Sequence, residues 1–101
     1  MKVVRRRRAT QDIDDHAAYI AARNPQAAYR FLEMVEETFD LLARQPRIGS
    51  RRLGHVIAGL RAFPVRTLRS YIVLYFVAGS RVQIVRVVHA SRDLETVLKE
   101  L

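Results

Sequence analysis

The chain has 101 residues, a length that suits one domain and leaves no room for two ordinary ones. Half of its residues are hydrophobic, so a packed core is expected and a disordered chain is not. The absence of cysteine excludes disulfides, thiolate metal sites and cysteine nucleophiles.

The net charge of +8 is distributed unevenly along the chain. All ten acidic residues lie between Asp12 and Asp40 or from Asp93 onward. The stretch from Leu41 to Arg92 has no acidic residue and holds ten arginines. The positive electrostatic potential of such a stretch favours an anionic partner, which is either nucleic acid or an acidic segment of another protein.

No segment resembles a targeting signal or a membrane span. The four arginines at 5–8 are followed by the polar residues Thr10-Gln11-Asp12, whereas a signal peptide needs an apolar run of about 7–15 residues. No stretch approaches the ~18 apolar residues that cross a bilayer. We therefore expect a cytoplasmic protein without membrane contact.

The first half of the sequence predicts a strand and a helical hairpin. Val3 and Val4 favour a short strand at about residues 2–7. Thr10 is a suitable N-cap for a helix over about 11–22. Asn24-Pro25 marks the start of a second helix, because Asn caps a helix and Pro suits its first position. This helix is predicted to end at Pro46, and the two helices are expected to pack antiparallel.

The second half predicts a loop over 46–59, strands over 60–66, 70–77 and 81–89, and a short helix after Asp93, capped by Ser91 or Asp93. A turn at 67–69 and a loop at 78–80 join the strands. Pro64 indicates an edge or bulge position. The middle strand is apolar on both faces, as in strands covered on both sides.

The order of these elements is β-α-α-β-β-β-α. It predicts an α+β domain in which a helical hairpin packs on a small antiparallel sheet, with the last three strands forming a meander. One helical layer covers only one face of such a sheet. A short C-terminal helix is too small to cover the other face fully, and exposed apolar area of that kind marks a protein interface.

The sequence resembles the ParE-like branch of the RelE/ParE toxin superfamily over nearly its whole length. The resemblance rests on the layout of the elements and on the segments LRAFPV at 60–65, YIVLYF at 71–76, IVRVVHASRD at 84–93, NPQAA at 24–28 and QPRIG at 45–49. It implies one toxin domain over 1–101, without cofactor or metal. It also implies neutralisation by a ParD-like antitoxin with a ribbon-helix-helix DNA-binding domain, and DNA gyrase as the target.

The RelE-like branch, whose members cleave mRNA on the ribosome, is the alternative. Its basic residues include an arginine on the central strand, and a tyrosine lies in its C-terminal segment. Here Ile72 stands beside Tyr71 on the central strand, and the C-terminal helix has Thr96-Val97-Leu98 and no tyrosine. If this alternative holds, His89 is the candidate general base and Arg92 a second catalytic residue.

The binding hypothesis uses a wider set of basic residues from the acid-free half. Arg86 is expected on a half-covered surface, because regular alternation places it on one face with Val82, Ile84 and Val88. An acidic, amphipathic antitoxin tail would suit such a surface. Specific nucleic-acid binding is not expected, although Tyr71 and Tyr75 share a face that would allow base stacking. The predicted target- or antitoxin-binding residues are Arg61, Arg66, Arg69, Arg86, His89 and Arg92.

Overall fold

The computed structural model describes residues 1–101. Its elements, in chain order, are β1 (Lys2–Arg5), α1 (Arg7–Ala21), α2 (Pro25–Arg44), a short 3-10 helix η1 (Arg52–His55), β2 (Arg61–Val65), β3 (Leu68–Ala78), β4 (Arg81–His89) and α3 (Leu94–Lys99). The predicted α+β architecture and order of elements are confirmed. No helix combines the length and hydrophobicity needed to cross a membrane.

The four strands form one sheet in the order β1-β4-β3-β2. The predicted antiparallel meander of β2, β3 and β4 is confirmed. The first strand adds to this meander in parallel with β4, with Val3 beside Val82, so the sheet is mixed. Consequently β3 and β4 are the two central strands, and β1 and β2 are its edges.

The start of α1 differs from its prediction. The helix begins at Arg7, and the backbone N–H of Thr10 donates to the Arg6 carbonyl at 3.2 Å, so Thr10 lies inside the helix and does not cap it. Sheet pairing sets this boundary, because Arg6 still donates from its backbone N–H to the Ile84 carbonyl at 2.9 Å. Ala9 is fully buried against the core, which holds the first turn in place.

The predicted start of α2 is confirmed. The Asn24 side chain accepts hydrogen bonds from the backbone N–H groups of Gln26 and Ala27 at 3.1 and 3.2 Å, and Pro25 occupies the first helical position. The apolar stripe of α2 is buried on the sheet. At the other end of the chain, Asp93 caps α3 by accepting from the Glu95 N–H at 3.0 Å.

The sheet separates two hydrophobic clusters. The larger lies under α1 and α2 and includes Phe31, Val73 and Tyr75. The smaller lies on the opposite face, where α3 and the loop before β2 cover Leu74 and Val88. On this face Ile72 and Phe76 of β3 remain half-buried.

The edge strand β2 contains the irregularities that Pro64 predicts. Its register with β3 shifts between Pro64 and Val65. On its outer side, Ala62 forms a two-hydrogen-bond bridge with Ser50 of the preceding loop. Because Pro64 has no N–H, little of this edge remains available for another strand.

Candidate functional site

A bulge in β4 changes the face on which Arg86 lies. Opposite β3, Leu74 pairs with Arg86 while the next residue, Tyr75, pairs with Ile84, so one extra residue of β4 is accommodated. Ile84 belongs to the core beneath the helices, whereas Val88 belongs to the cluster on the opposite face. The predicted common face of Arg86, Ile84 and Val88 is therefore wrong.

Arg86 is buried, with 2 % of its surface exposed. Its Nε and Nη2 donate to the two carboxylate oxygens of Asp12 at 2.7 and 3.0 Å, and its Nη1 donates to Glu100 at 3.3 Å. These partners raise the pKa of the Arg86 guanidinium, and the hydrogen bonds that it donates to Asp12 contribute most. The structure thus corrects the expectation of a half-covered arginine, because the guanidinium is satisfied within the chain and cannot contact a partner directly.

Helix α1 completes the edge of β4 beyond the end of β1. The Val87 N–H donates to Asp12 at 3.0 Å, and the Val87 carbonyl accepts from His16 Nε2 at 2.8 Å. Asp12 and His16 are four residues apart, so they lie on the same face of α1. These two side chains thereby replace the backbone partners that a longer β1 would supply, so His16 has a structural role.

His89 closes the turn after β4. Its Nδ1 accepts from the Ser91 N–H at 3.1 Å and lies 2.7 Å from Ser91 Oγ. In the neutral ring the proton is therefore on Nε2, and the only unprotonated nitrogen is already bonded. The ring also packs edge-on against Tyr71, with centroids 5.0 Å apart. This arrangement is poor for a general base, because its lone pair is occupied.

The other predicted residues occupy separate places. Arg92 lies near Glu100, with Nη2 at 3.9 Å from its carboxylate, and Glu100 also neutralises Arg86. Arg61 donates from Nη1 to the carbonyls of Arg47 and Gly49 at 3.0 and 3.1 Å, which ties the loop before η1 to the sheet. Because Arg86 is buried, the six residues do not form one exposed patch.

Tyr75 secures the same loop from the core. Its hydroxyl donates to the Pro46 carbonyl at 2.9 Å and accepts from the Gly49 N–H at 2.8 Å. A Cβ at Gly49 would come within 2.8 Å of Tyr75 Cε1, so only glycine fits there. Tyr75 is fully buried and Tyr71 is half-buried against Phe31, so the two tyrosines do not form an exposed stacking surface.

Arg66 and Arg69 remain exposed, and they lie together at the β2–β3 turn. Neither side chain makes a salt bridge or a hydrogen bond within the chain. They line a groove of about 520 Å³ with Leu41, Phe63, Pro64, Val65 and Thr67. Two free guanidinium groups beside apolar side chains make this groove suitable for an acidic, amphipathic ligand.

A second groove of about 500 Å³ lies on the partly closed face of the sheet. It shares Phe63 and Pro64 with the first, and its other lining residues are Ser50, Arg52, Leu53, His55, Ala62, Ile72 and Leu94. We call the two grooves together the β2 surface. No acidic residue lines either groove.

Sequence reasoning located only part of the β2 surface. It selected Arg66 and Arg69 by charge, but it missed Leu53, His55 and Leu94. The apolar residues on both faces of β3, with Ile72 among them, were the available indication of this groove. The conformation of the 46–59 loop decides which of its residues line this groove. No local sequence pattern predicts that conformation.

Comparison with known proteins identifies the family. The family model described as "ParE toxin of type II toxin-antitoxin system, parDE" matches residues 3–94, which is most of the chain. No curated protein sequence matches. A solved structure of the chromosomal ParDE TA system from P. aeruginosa is similar in fold, with a TM-score of 0.75 and 20 % identity over 88 % of this chain and 95 % of that chain. The chain therefore belongs to the ParE toxin family of type II toxin–antitoxin systems.

Proposed function

We propose that this protein arrests growth by binding DNA gyrase, and that a ParD-like antitoxin neutralises it by covering the β2 surface. The observation that carries the antitoxin part is the acid-free β2 surface itself, where two unpaired arginines flank apolar grooves. The gyrase part rests on membership of the ParE family. The antitoxin carries a ribbon-helix-helix DNA-binding domain, and its toxin-binding segment folds on this surface.

The proposed occupant is an acidic, amphipathic segment of the antitoxin. Its apolar side would contact Phe63 and Ile72, and its carboxylates would pair with Arg66 and Arg69. A helix in the groove is favoured over an added strand, because Ser50 already pairs with Ala62 and Pro64 lacks an N–H. Charge complementarity of this kind raises the association rate and makes binding dependent on salt.

The arrangement around β4 supports a binding protein over a ribonuclease. Metal-independent RNA cleavage requires a base, an acid and free cations around one phosphate. Here the Nδ1 lone pair of His89 is bonded to Ser91, and Arg86 is held by Asp12. Arg92 lies beside Glu100. The residues that would form a RelE-like centre are thus engaged in contacts within the chain.

The experiment compares two activities of the purified protein. DNA supercoiling by purified gyrase is measured with the protein added, beside cleavage of mRNA on programmed ribosomes. The proposal predicts inhibited supercoiling and intact mRNA. Cleaved mRNA with normal supercoiling would place the protein with the ribosome-dependent endonucleases and make His89 and Arg92 catalytic candidates.

The β2 surface is tested with a double charge reversal, Arg66→Glu with Arg69→Glu. Both side chains are exposed and unpaired, so the variant is expected to fold. The matched control is Arg30→Glu with Arg81→Glu, which makes the same change in net charge at exposed arginines elsewhere. Affinity for the ParD-like antitoxin should fall at least about tenfold in the first variant only, since two charge-assisted contacts of about 1 kcal/mol or more are lost. Equal affinities of the two variants would exclude this surface.

A further inference from the structure

A third cavity lies beside β2, and the β2 surface does not include it. It has a volume of about 520 Å³ and is lined by Arg51, Gly54, Ala58, Gly59, Leu60 and Arg61. We call it the loop pocket. Its walls come from Arg51, from Gly54 of η1, from the segment between η1 and β2, and from Arg61 at the start of β2. None of its six lining residues also lines the β2 surface.

We propose that the loop pocket binds a phosphate group of a nucleic-acid backbone. Its two arginines supply the charge. Arg61 is held in place because its Nη1 donates to the Arg47 and Gly49 carbonyls, while its Nε and Nη2 have no partner in the chain. Arg51 is exposed, and its side chain makes no hydrogen bond or salt bridge. A guanidinium with free donors binds phosphate oxygens in a bidentate manner.

Two of the lining residues also have unpaired backbone N–H groups. The N–H groups of Ala58 and Gly59 donate to no acceptor in the chain, although the neighbouring Leu60 N–H donates to the Ile57 carbonyl at 3.1 Å. Gly59 has a φ of +82°, a conformation that favours glycine, so the chain has no Cβ of its own at this point of the turn. Successive free N–H groups in such a turn form a concavity that suits an anion.

The charges around the pocket favour an external anion. The acidic residues nearest in sequence are Asp40 and Asp93, and neither Arg51 nor Arg61 pairs with a carboxylate. This differs from Arg86, whose charge Asp12 and Glu100 neutralise. Because Arg51 and Arg61 have no counterion within the chain, they are better placed than Arg86 to bind an incoming phosphate.

The lining indicates a polynucleotide backbone and not an acidic peptide. Only two of the six residues that line the loop pocket are hydrophobic. The second groove of the β2 surface, which Ile72 and Leu94 line, has five hydrophobic residues among nine. An amphipathic peptide would bury apolar side chains and therefore prefers that groove. A phosphodiester has little to bury, and the exposed Arg47 and Arg52 nearby can contact adjacent phosphates. Such contacts position a protein on nucleic acid without reading its sequence.

The experiment measures binding of a short mixed-sequence duplex DNA by fluorescence anisotropy over a series of KCl concentrations. Arg51→Gln should reduce the slope of log K against log salt by about one, the loss of one phosphate contact. The matched control is Arg30→Gln, which removes the same charge from an exposed residue of α2 that has no polar partner. Equal slopes for the two variants would overturn the site, because binding would then follow net charge alone.

Amide NMR separates the two sources of phosphate. On addition of the duplex, the signals of Ala58 and Gly59 should shift in the wild type and shift less in Arg51→Gln. Inorganic phosphate at matched ionic strength is the second probe. If these amides respond to inorganic phosphate and not to DNA, the pocket binds free phosphate and the polynucleotide proposal fails. No response to either probe would also overturn it. None of these outcomes depends on inhibition of gyrase.

Discussion

The contact between Asp12 and Arg86 makes a quantitative prediction about stability. Asp12→Asn removes the negative charge that compensates a guanidinium whose side chain is 3 % exposed. Three hydrogen bonds are affected, since Asp12 accepts from Nε and Nη2 of Arg86 and from the Val87 N–H. An amide can accept through one oxygen only, and it turns an NH₂ group toward one of these donors. The remaining partner of Arg86, Glu100, is itself partly exposed.

Breaking a buried ion pair by removing one partner costs about 3–5 kcal/mol, because an uncompensated charge is left in the interior. For a domain of this size, 1 kcal/mol lowers the melting temperature by about 4–8 °C, so Asp12→Asn should melt at least about 12 °C below the wild type. Thermal unfolding followed by circular dichroism measures this shift. Asp14→Asn is the matched control, because Asp14 is an exposed residue of the same helix with no polar partner.

A double substitution distinguishes the ion pair from general packing. Asp12→Leu with Arg86→Leu removes both charges, and replacing a buried pair by apolar residues is often nearly neutral. The double variant should therefore be more stable than either single variant, although Val87 loses an acceptor. If Asp12→Asn melts together with Asp14→Asn, or if the two leucine substitutions are additive, Arg86 does not depend on Asp12 and the reasoning is refuted.

Two further predictions concern the loop and the helical hairpin. Burial raises the pKa of the Tyr75 phenol above its ordinary value of 10.0. The folded state thus favours the protonated phenol, which contributes to the free energy of unfolding. This contribution is complete below pH 10 and is lost as the pH rises through the raised pKa. Tyr75→Phe should cost about 1–3 kcal/mol at neutral pH, since the Pro46 carbonyl and Gly49 N–H lose their partner. Urea unfolding between pH 8 and 11 should show that the free energy of unfolding falls less in Tyr75→Phe than in the wild type. Equal decreases in the two proteins would mean that Tyr75 is not the source of the alkaline destabilisation. Asn24→Ala should cost about 1 kcal/mol through loss of the α2 cap, whereas Gln26→Ala, which keeps that cap, should unfold at nearly the wild-type urea concentration.

The sequence determined the features that depend on neighbours along the chain. Asn24-Pro25 set the start of α2 because a cap and a first-turn proline act within a few residues. The strands of the meander followed from their apolar, β-branched and aromatic residues and from the short links between them. Pro64 indicated the edge position of β2, since its missing N–H would interrupt a central ladder. The combination of these local features was also sufficient for the family resemblance, which the match over residues 3–94 confirmed.

Tertiary structure decided the features that join distant parts of the chain. Asp12 and Arg86 are separated by 74 positions, and no periodicity in either segment predicts that they meet. The start of α1 at Arg7 depends on where β1 stops pairing with β4. The β4 bulge moved Arg86 relative to Ile84, so a face assigned by regular alternation was wrong. A single extra residue reverses the side-chain pattern of a strand, and the position of that residue in β4 is defined only by the register with β3.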